Sequence, residues 1–117
     1  MDLVRKIESG GNARAWNRSE DARGLYQIRK IVLVEFNQYC KKNYNMDDLW
    51  NPNINTEIAQ WYLEVRIPQM LRYYHVEVTV KNIILAYNAG ISNARKGRVP
   101  EITRKYLEKY QKNEGEL

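Results

Sequence analysis

Three short segments carry residue types able to do chemistry: Glu8-Ser9-Gly10-Gly11, Gly24-Leu25-Tyr26-Gln27-Ile28 and Ala86-Tyr87-Asn88-Ala89-Gly90. The first and third fall at helix ends, and the second follows a long polar loop. Glu8 is the acid among them. A carboxyl at a helix end that faces an interior cleft is desolvated, which raises its pKa toward neutral and lets it act as an acid. Taken alone, Glu8 is one of 14 acidic residues, most of them solvated; the flanking segments single it out. Other chemistries drop out. One cysteine, Cys40, forms no intramolecular disulfide, and with one histidine, His75, it cannot build a zinc site of the Cys/His type. No metal and no cofactor is expected. Cys40 lies in a polar stretch of a helix and reads as a structural or surface thiol, not a nucleophile. His75 follows Tyr73 and Tyr74 at a helix end, where a cap or packing role is expected.

These segments must be held by helices. Residues 2–8 put Leu3, Val4 and Ile7 on one helical face, with Asp2 as N-cap and Gly10-Gly11-Asn12 as the break. The polar run through Asp21 reads as an ordered loop carrying Trp16, and a loop this long in a small domain is usually functional. Residues 30–42 predict a helix with Ile31, Val34, Phe36 and Tyr39 as its apolar positions, and β-branched content makes a strand the competing reading. Residues 43–55 read as a polar connection containing Trp50 and Pro52. Residues 56–66 predict a helix facing Ile58, Ala59, Tyr62, Leu63 and Arg66 inward, ended or kinked by Pro68. Residues 69–74 add a helical turn or two. Thr79 caps a run with Val80, Ile83, Ile84 and Tyr87 at helical steps, which Gly90 stops. Pro100 starts a last helix with Ile102, Tyr106 and Tyr110 at i, i+4 and i+8. No segment alternates as a strand. The fold class is all-α with at most a minimal β element: five or six helices joined by loops.

The 117 residues amount to one domain, 1–117, and 44% apolar content supports a modest core. The charge balance of 19 Lys and Arg against 14 Asp and Glu gives +5. An anionic partner follows: nucleic acid, an acidic lipid surface or a polyanionic glycan. The basic residues are scattered among acids and form no block of the kind that marks a nucleic-acid tail. The longest apolar stretches, 31–34 and 83–87, are far shorter than the ~20 residues that span a bilayer, so no membrane span is expected. The first residues lack the long apolar core of a secretion signal.

In this order, and with Tyr106 in a C-terminal helix, the three segments resemble those of the soluble lytic transglycosylases of the SLT type, relatives of goose-type lysozyme. The family's usual pattern is Glu-Ser, then Gly-Leu-Met-Gln-Ile, then Ala-Tyr-Asn-Ala-Gly, then a Tyr. The resemblance covers the chain from Ile7 to about Tyr110, and Asn51-Pro52-Asn53-Ile54 looks like the family's link into its middle helix. Tyr26 stands where the family usually has Met, which can alter a sugar contact. Only seven residues precede Glu8, so the first helix is short. The resemblance implies a lysozyme-like helical fold with a substrate cleft, peptidoglycan glycan strands as partner, and no nucleic-acid partner. It also implies action in the bacterial cell wall or periplasm. With no signal segment visible, export by another route, a phage origin or a trimmed exported enzyme is expected. A monomer is expected.

Cleaving a β-1,4 glycosidic bond normally takes two carboxylates, and the matched motifs supply one. An N-acetylated sugar can replace the second with its own acetamido oxygen, so one Glu first protonates the leaving oxygen and then serves as base. In the family the second proton comes from the substrate's C6 hydroxyl, which closes a 1,6-anhydro ring. The resemblance makes Glu8 catalytic and places Ser9, Gly24, Tyr26, Gln27, Tyr87, Asn88 and Tyr106 around the substrate. Ser9 would hydrogen-bond near the reacting sugar, Gly24 and Gln27 line the cleft, and Tyr106 orient the Glu8 carboxyl. Each also has a plainer reading: Ser9 and Asn88 as helix-terminal polar residues, Gly24 as a loop residue, Tyr87 as core beside Ile83 and Ile84. Trp16 and Tyr26 are the expected cleft walls, because sugar faces stack on rings with wet polar tips. Two alternatives stand beside this reading. In a goose-type lysozyme, Glu20 or Asp21 would position a hydrolytic water. In a small basic helical module that binds nucleic acid or protein, the motifs would be coincidental.

Overall fold

The computed structural model describes residues 2–114. The side chains of Asp2, Leu3, Ile7 and Tyr110, on which part of the expected helix faces and the Asp2 cap depend, lie outside the described residues. The chain forms two compact units, residues 1–62 and 63–117. Among the described residues the structure is helical apart from one small hairpin, in agreement with the all-α expectation.

The first unit begins with α1 (Asp2–Ser9). The polar loop after it holds a two-stranded antiparallel hairpin, β1 (Trp16–Asn17) and β2 (Ala22–Arg23), with Trp16 opposite Arg23 and Asn17 opposite Ala22. This corrects the reading of the segment as loop throughout, since two-residue strands are too short to show alternation. Helix α2 (Lys30–Cys40) ends one residue past Cys40, at a left-handed Lys41. Its buried positions are Val32, Leu33 and Phe36, while Ile31 is 67% exposed and Val34 and Tyr39 are also exposed. The expected face was therefore rotated: a run of β-branched residues fits either side of a helix, and the true inner stripe follows the i, i+1, i+4 spacing. The connection expected over residues 43–55 is mostly helical. A 3-10 turn (Met46–Trp50) is closed by an Asn45/Asp48 capping box, and α3 (Pro52–Trp61) starts with the Asn51 side chain accepting from the amides of Asn53 and Ile54. Asn-rich composition here signals caps and not loop. Phe36 stacks near Tyr44 and meets Trp61 edge-on.

The second unit contains a wide π-helical turn (Tyr62–Arg66, its first residue belonging to the first unit), then α4 (Ile67–Tyr73). Pro68 does not end the helix, which runs on into α4; the helix is distorted just before it, where the π turn takes up the pitch change that a missing N–H and the proline ring impose. His75 leaves α4 at φ +58, so its contribution is a left-handed backbone stop, with the imidazole exposed. Helix α5 (Val80–Ala89) starts at Thr79, whose hydroxyl accepts from the Asn82 amide, a cap worth about 1 kcal/mol. Gly90 at φ +92 ends α5, and a short α6 (Ile91–Lys96), not expected, follows at once. Helix α7 (Glu101–Glu114) buries Thr103 and Tyr106, whereas Ile102 is 77% exposed. The expected Ile102–Tyr106 stripe is thus corrected by one residue. Leu63, Ile67, Pro68, Leu71, Ile84, Leu85, Ala86 and Ala94 are also buried in this unit, and α5 packs on α4, α6 and α7.

Candidate active site

Glu8 is the penultimate residue of α1 and half-buried. Ser9 ends that helix with its own side chain: Oγ donates to the Arg5 carbonyl at 3.1 Å and accepts from the Gly11 amide at 3.1 Å. The hydroxyl's donor is thereby used within α1, and the helix-terminal reading of Ser9 describes what it does in this structure.

The second motif is a tight loop held from three sides. Gly24 donates its amide to the Ala15 carbonyl, and Arg23 and Ile28 exchange two backbone bonds of 3.0 Å across it. The Gln27 side-chain amide nitrogen donates to both the Ala15 and Gly24 carbonyls at 3.0 Å, so both of its N–H donors are used within the loop. Gly24 sits at φ +81, and a Cβ there would collide with the side-chain nitrogen of Asn55 and the Leu49 carbonyl. The glycine is thus explained by the approach of a protein side chain, where the sequence suggested the approach of a sugar. Asn55, fully buried, accepts from the Tyr26 amide at 2.8 Å and donates to the carbonyls of Arg23 at 2.8 Å and Leu49 at 3.1 Å. Sequence reasoning missed it. The available signal was a helix-unfavourable Asn in the first turn of α3, a position where such a side chain usually serves the backbone. Tyr26 is 2% exposed, so its ring is core and does not form a cleft wall.

The hairpin carries the exposed aromatic. Trp16 is 46% exposed, donates its indole N–H to Asp21 Oδ1 at 2.8 Å and meets Trp50 edge-on at 6.2 Å. Arg23 lies between two carboxylates, with Nε 2.9 Å from Asp21 Oδ1 and an Nη 3.0 Å from Asp47 Oδ1. Its other Nη reaches Asp21 Oδ2 at 3.4 Å. Hydrogen bonds from Arg23 and then from Trp16 hold the Asp21 carboxyl below its ordinary 3.8. A depressed carboxylate stabilises the fold above its unfolded pKa and stops doing so as pH falls through its folded pKa. The expected result is loosening of the hairpin only below about pH 3.8, read by Trp16 fluorescence, and loss of that acid transition in Asp21→Asn.

In the second unit, Tyr87 and Asn88 lie half-buried near the end of α5. Asn88 Oδ1 accepts from the hydroxyl of the buried Thr103 at 2.8 Å, which ties α5 to α7. Asn88 is therefore not a simple helix cap. Tyr106 lies one turn beyond Thr103 on the same buried face of α7. Both tyrosines engage neighbouring groups.

The profile of the transglycosylase SLT domain matches residues 2–110, a span that contains all three motifs and Tyr106. The chain belongs to the SLT transglycosylase family. It is thereby a member of a lysozyme-like family of glycan-cleaving domains that act on cell-wall peptidoglycan. No curated protein and no solved structure matches this SLT domain. No described helix is long and apolar enough to cross a membrane.

Proposed function

We propose that this SLT domain is a peptidoglycan lytic transglycosylase that cleaves the β-1,4 bond between N-acetylmuramic acid and N-acetylglucosamine. Glu8 is its sole acid and base, and both units belong to one catalytic domain. Glu8 protonates the glycosidic oxygen as the bond to the anomeric carbon breaks, and the acetamido oxygen of the same sugar supports the developing positive charge. Carboxylate Glu8 then takes the proton of the C6 hydroxyl as that oxygen closes on the anomeric carbon, so no water is consumed. Gln27, Tyr87 and Asn88 are the glycan contacts carried over from the resemblance, and Tyr106 its supporting hydroxyl.

The observation that favours this over goose-type hydrolysis is the commitment of the loop carboxylates. Both oxygens of Asp21 are engaged by Arg23 and Trp16. Glu20 is exposed, 3.7 Å from Arg29. A carboxylate that positions a hydrolytic water needs a free oxygen aimed at it. Digestion of purified cell walls followed by mass measurement tests the reading. Anhydro-ended muropeptides, lighter by one water than reducing-end ones, are expected; reducing ends alone would establish hydrolysis. Asp21→Asn should leave turnover within several-fold of the parent, whereas a hydrolase that uses Asp21 would lose it.

A further inference from the structure

Rigid aromatic rings at a surface are effective binding platforms because little side-chain freedom is lost on contact. Trp16 is one: exposed, its indole N–H fixed by Asp21, its ring perpendicular to that of Trp50. Two guanidinium groups approach this ring, and they differ in an informative way. Arg23 is spanned by Asp21 and Asp47, so its charge is neutralised within the fold. Arg18 lies 4.8 Å from the Trp16 ring centre, is exposed, and among the described residues has no carboxylate partner. A cation parked on an aromatic face, beside an already neutralised one, is available to an incoming anion.

We infer that Trp16 and Arg18 form a subsite for a carboxylate-bearing N-acetylated sugar, with the indole stacking on the sugar face and the Arg18 guanidinium taking the carboxylate. The inference rests on the proposed peptidoglycan-cleaving function and adds a specificity to it: recognition of the acidic sugar over the neutral one. To stack fully, the sugar displaces Arg18 from the ring. The guanidinium gives up an exposed cation–π contact and gains a charge-assisted pair with the carboxylate. The Asp21–Arg23–Asp47 chain keeps the hairpin and Trp50 in register while Arg18 moves. The roles are therefore divided, with Arg23 positioning the platform and Arg18 reading the ligand.

The test is titration calorimetry on the full chain carrying Glu8→Gln, which stops turnover. The three probes are a neutral N-acetylglucosamine tetramer, a tetramer alternating N-acetylmuramic acid and N-acetylglucosamine, and the latter with its lactyl carboxyls methyl-esterified. The acidic tetramer is expected to bind about tenfold more tightly than the other two at low salt. Arg18→Gln should bring it to the affinity of the neutral tetramer, and Trp16→Ala should weaken all three, with circular dichroism confirming the fold. Equal affinities in the parent, or a preference that survives Arg18→Gln, would overturn the subsite. If wild-type protein still releases anhydro muropeptides in that case, the subsite alone falls. Failure to bind any tetramer together with failure to cut walls removes both readings.

Discussion

Glu8→Gln is expected to lower the rate of wall cleavage by about 10⁴-fold, the upper end of what one general acid–base group contributes, because the same carboxyl serves both proton transfers. The amide keeps the shape and half-buried position of the side chain at the end of α1. Folding should therefore be unchanged in a urea titration, and the loss belongs to chemistry. The measurement is muropeptide release, followed by mass, from parent and variant at equal concentration. Residual activity above a few per cent would show that a second carboxylate shares the work. Asp21 is the group to examine next, and the double variant with Asp21→Asn separates the two. If Asp21 acts, that variant loses the remainder. If Glu8 acts alone, it changes nothing further, since Asp21 is engaged by Arg23 and Trp16.

Much of this arrangement is legible in the sequence, for identifiable reasons. Helix starts and stops follow local chemistry. Thr79 caps α5 as its position suggests, and Gly90 ends it at a backbone angle that few other residues adopt. Motif order fixed the family because each segment is a local string. What the sequence hides is contact between distant residues. Gly24 reads as loop or ligand approach until Asn55, 31 positions later, is seen filling the space its missing side chain leaves. Helix faces fail where apolar residues crowd all round. In α2, Ile31 and Val34 compete with Val32 and Leu33, and only packing decides which pair is inward. In α7 Thr103 is buried beside Tyr106, a position that no hydrophobicity count selects, and its hydroxyl is matched by Asn88. The two-residue strands of the hairpin are below any periodic signal, yet they carry Trp16 and Arg23.

Asn55→Leu is expected to destabilise the protein by about 4 kcal/mol. The replacement is similar in size, so the cavity term is small, but it removes the partner of three backbone groups. The Tyr26 amide and the Arg23 and Leu49 carbonyls each made a bond of 2.8–3.1 Å to the lost amide. A buried polar group left unmatched costs about 1–3 kcal/mol, and partial access of water to the loop should keep the sum near the low end. Against a total stability of roughly 5–15 kcal/mol for a domain, this approaches unfolding at physiological temperature. Urea denaturation followed by far-ultraviolet circular dichroism reads the loss as a lower midpoint at unchanged slope. Gly24→Ala should be of similar severity by the reciprocal route, because its Cβ would enter the space of the Asn55 side chain and the Leu49 carbonyl at a φ of +81. Gly90→Ala supplies the control. Its φ of +92 and ψ of 156 are also unfavourable for alanine, but nothing lies within 4 Å of a Cβ there. Only the backbone strain remains, about 1–3 kcal/mol. A Gly24→Ala loss in excess of that range therefore reports the steric term at the Asn55 contact. If the two midpoints coincide, Asn55 does not hold the Gly24–Gln27 loop, and the tight turn of the second motif rests on its other hydrogen bonds.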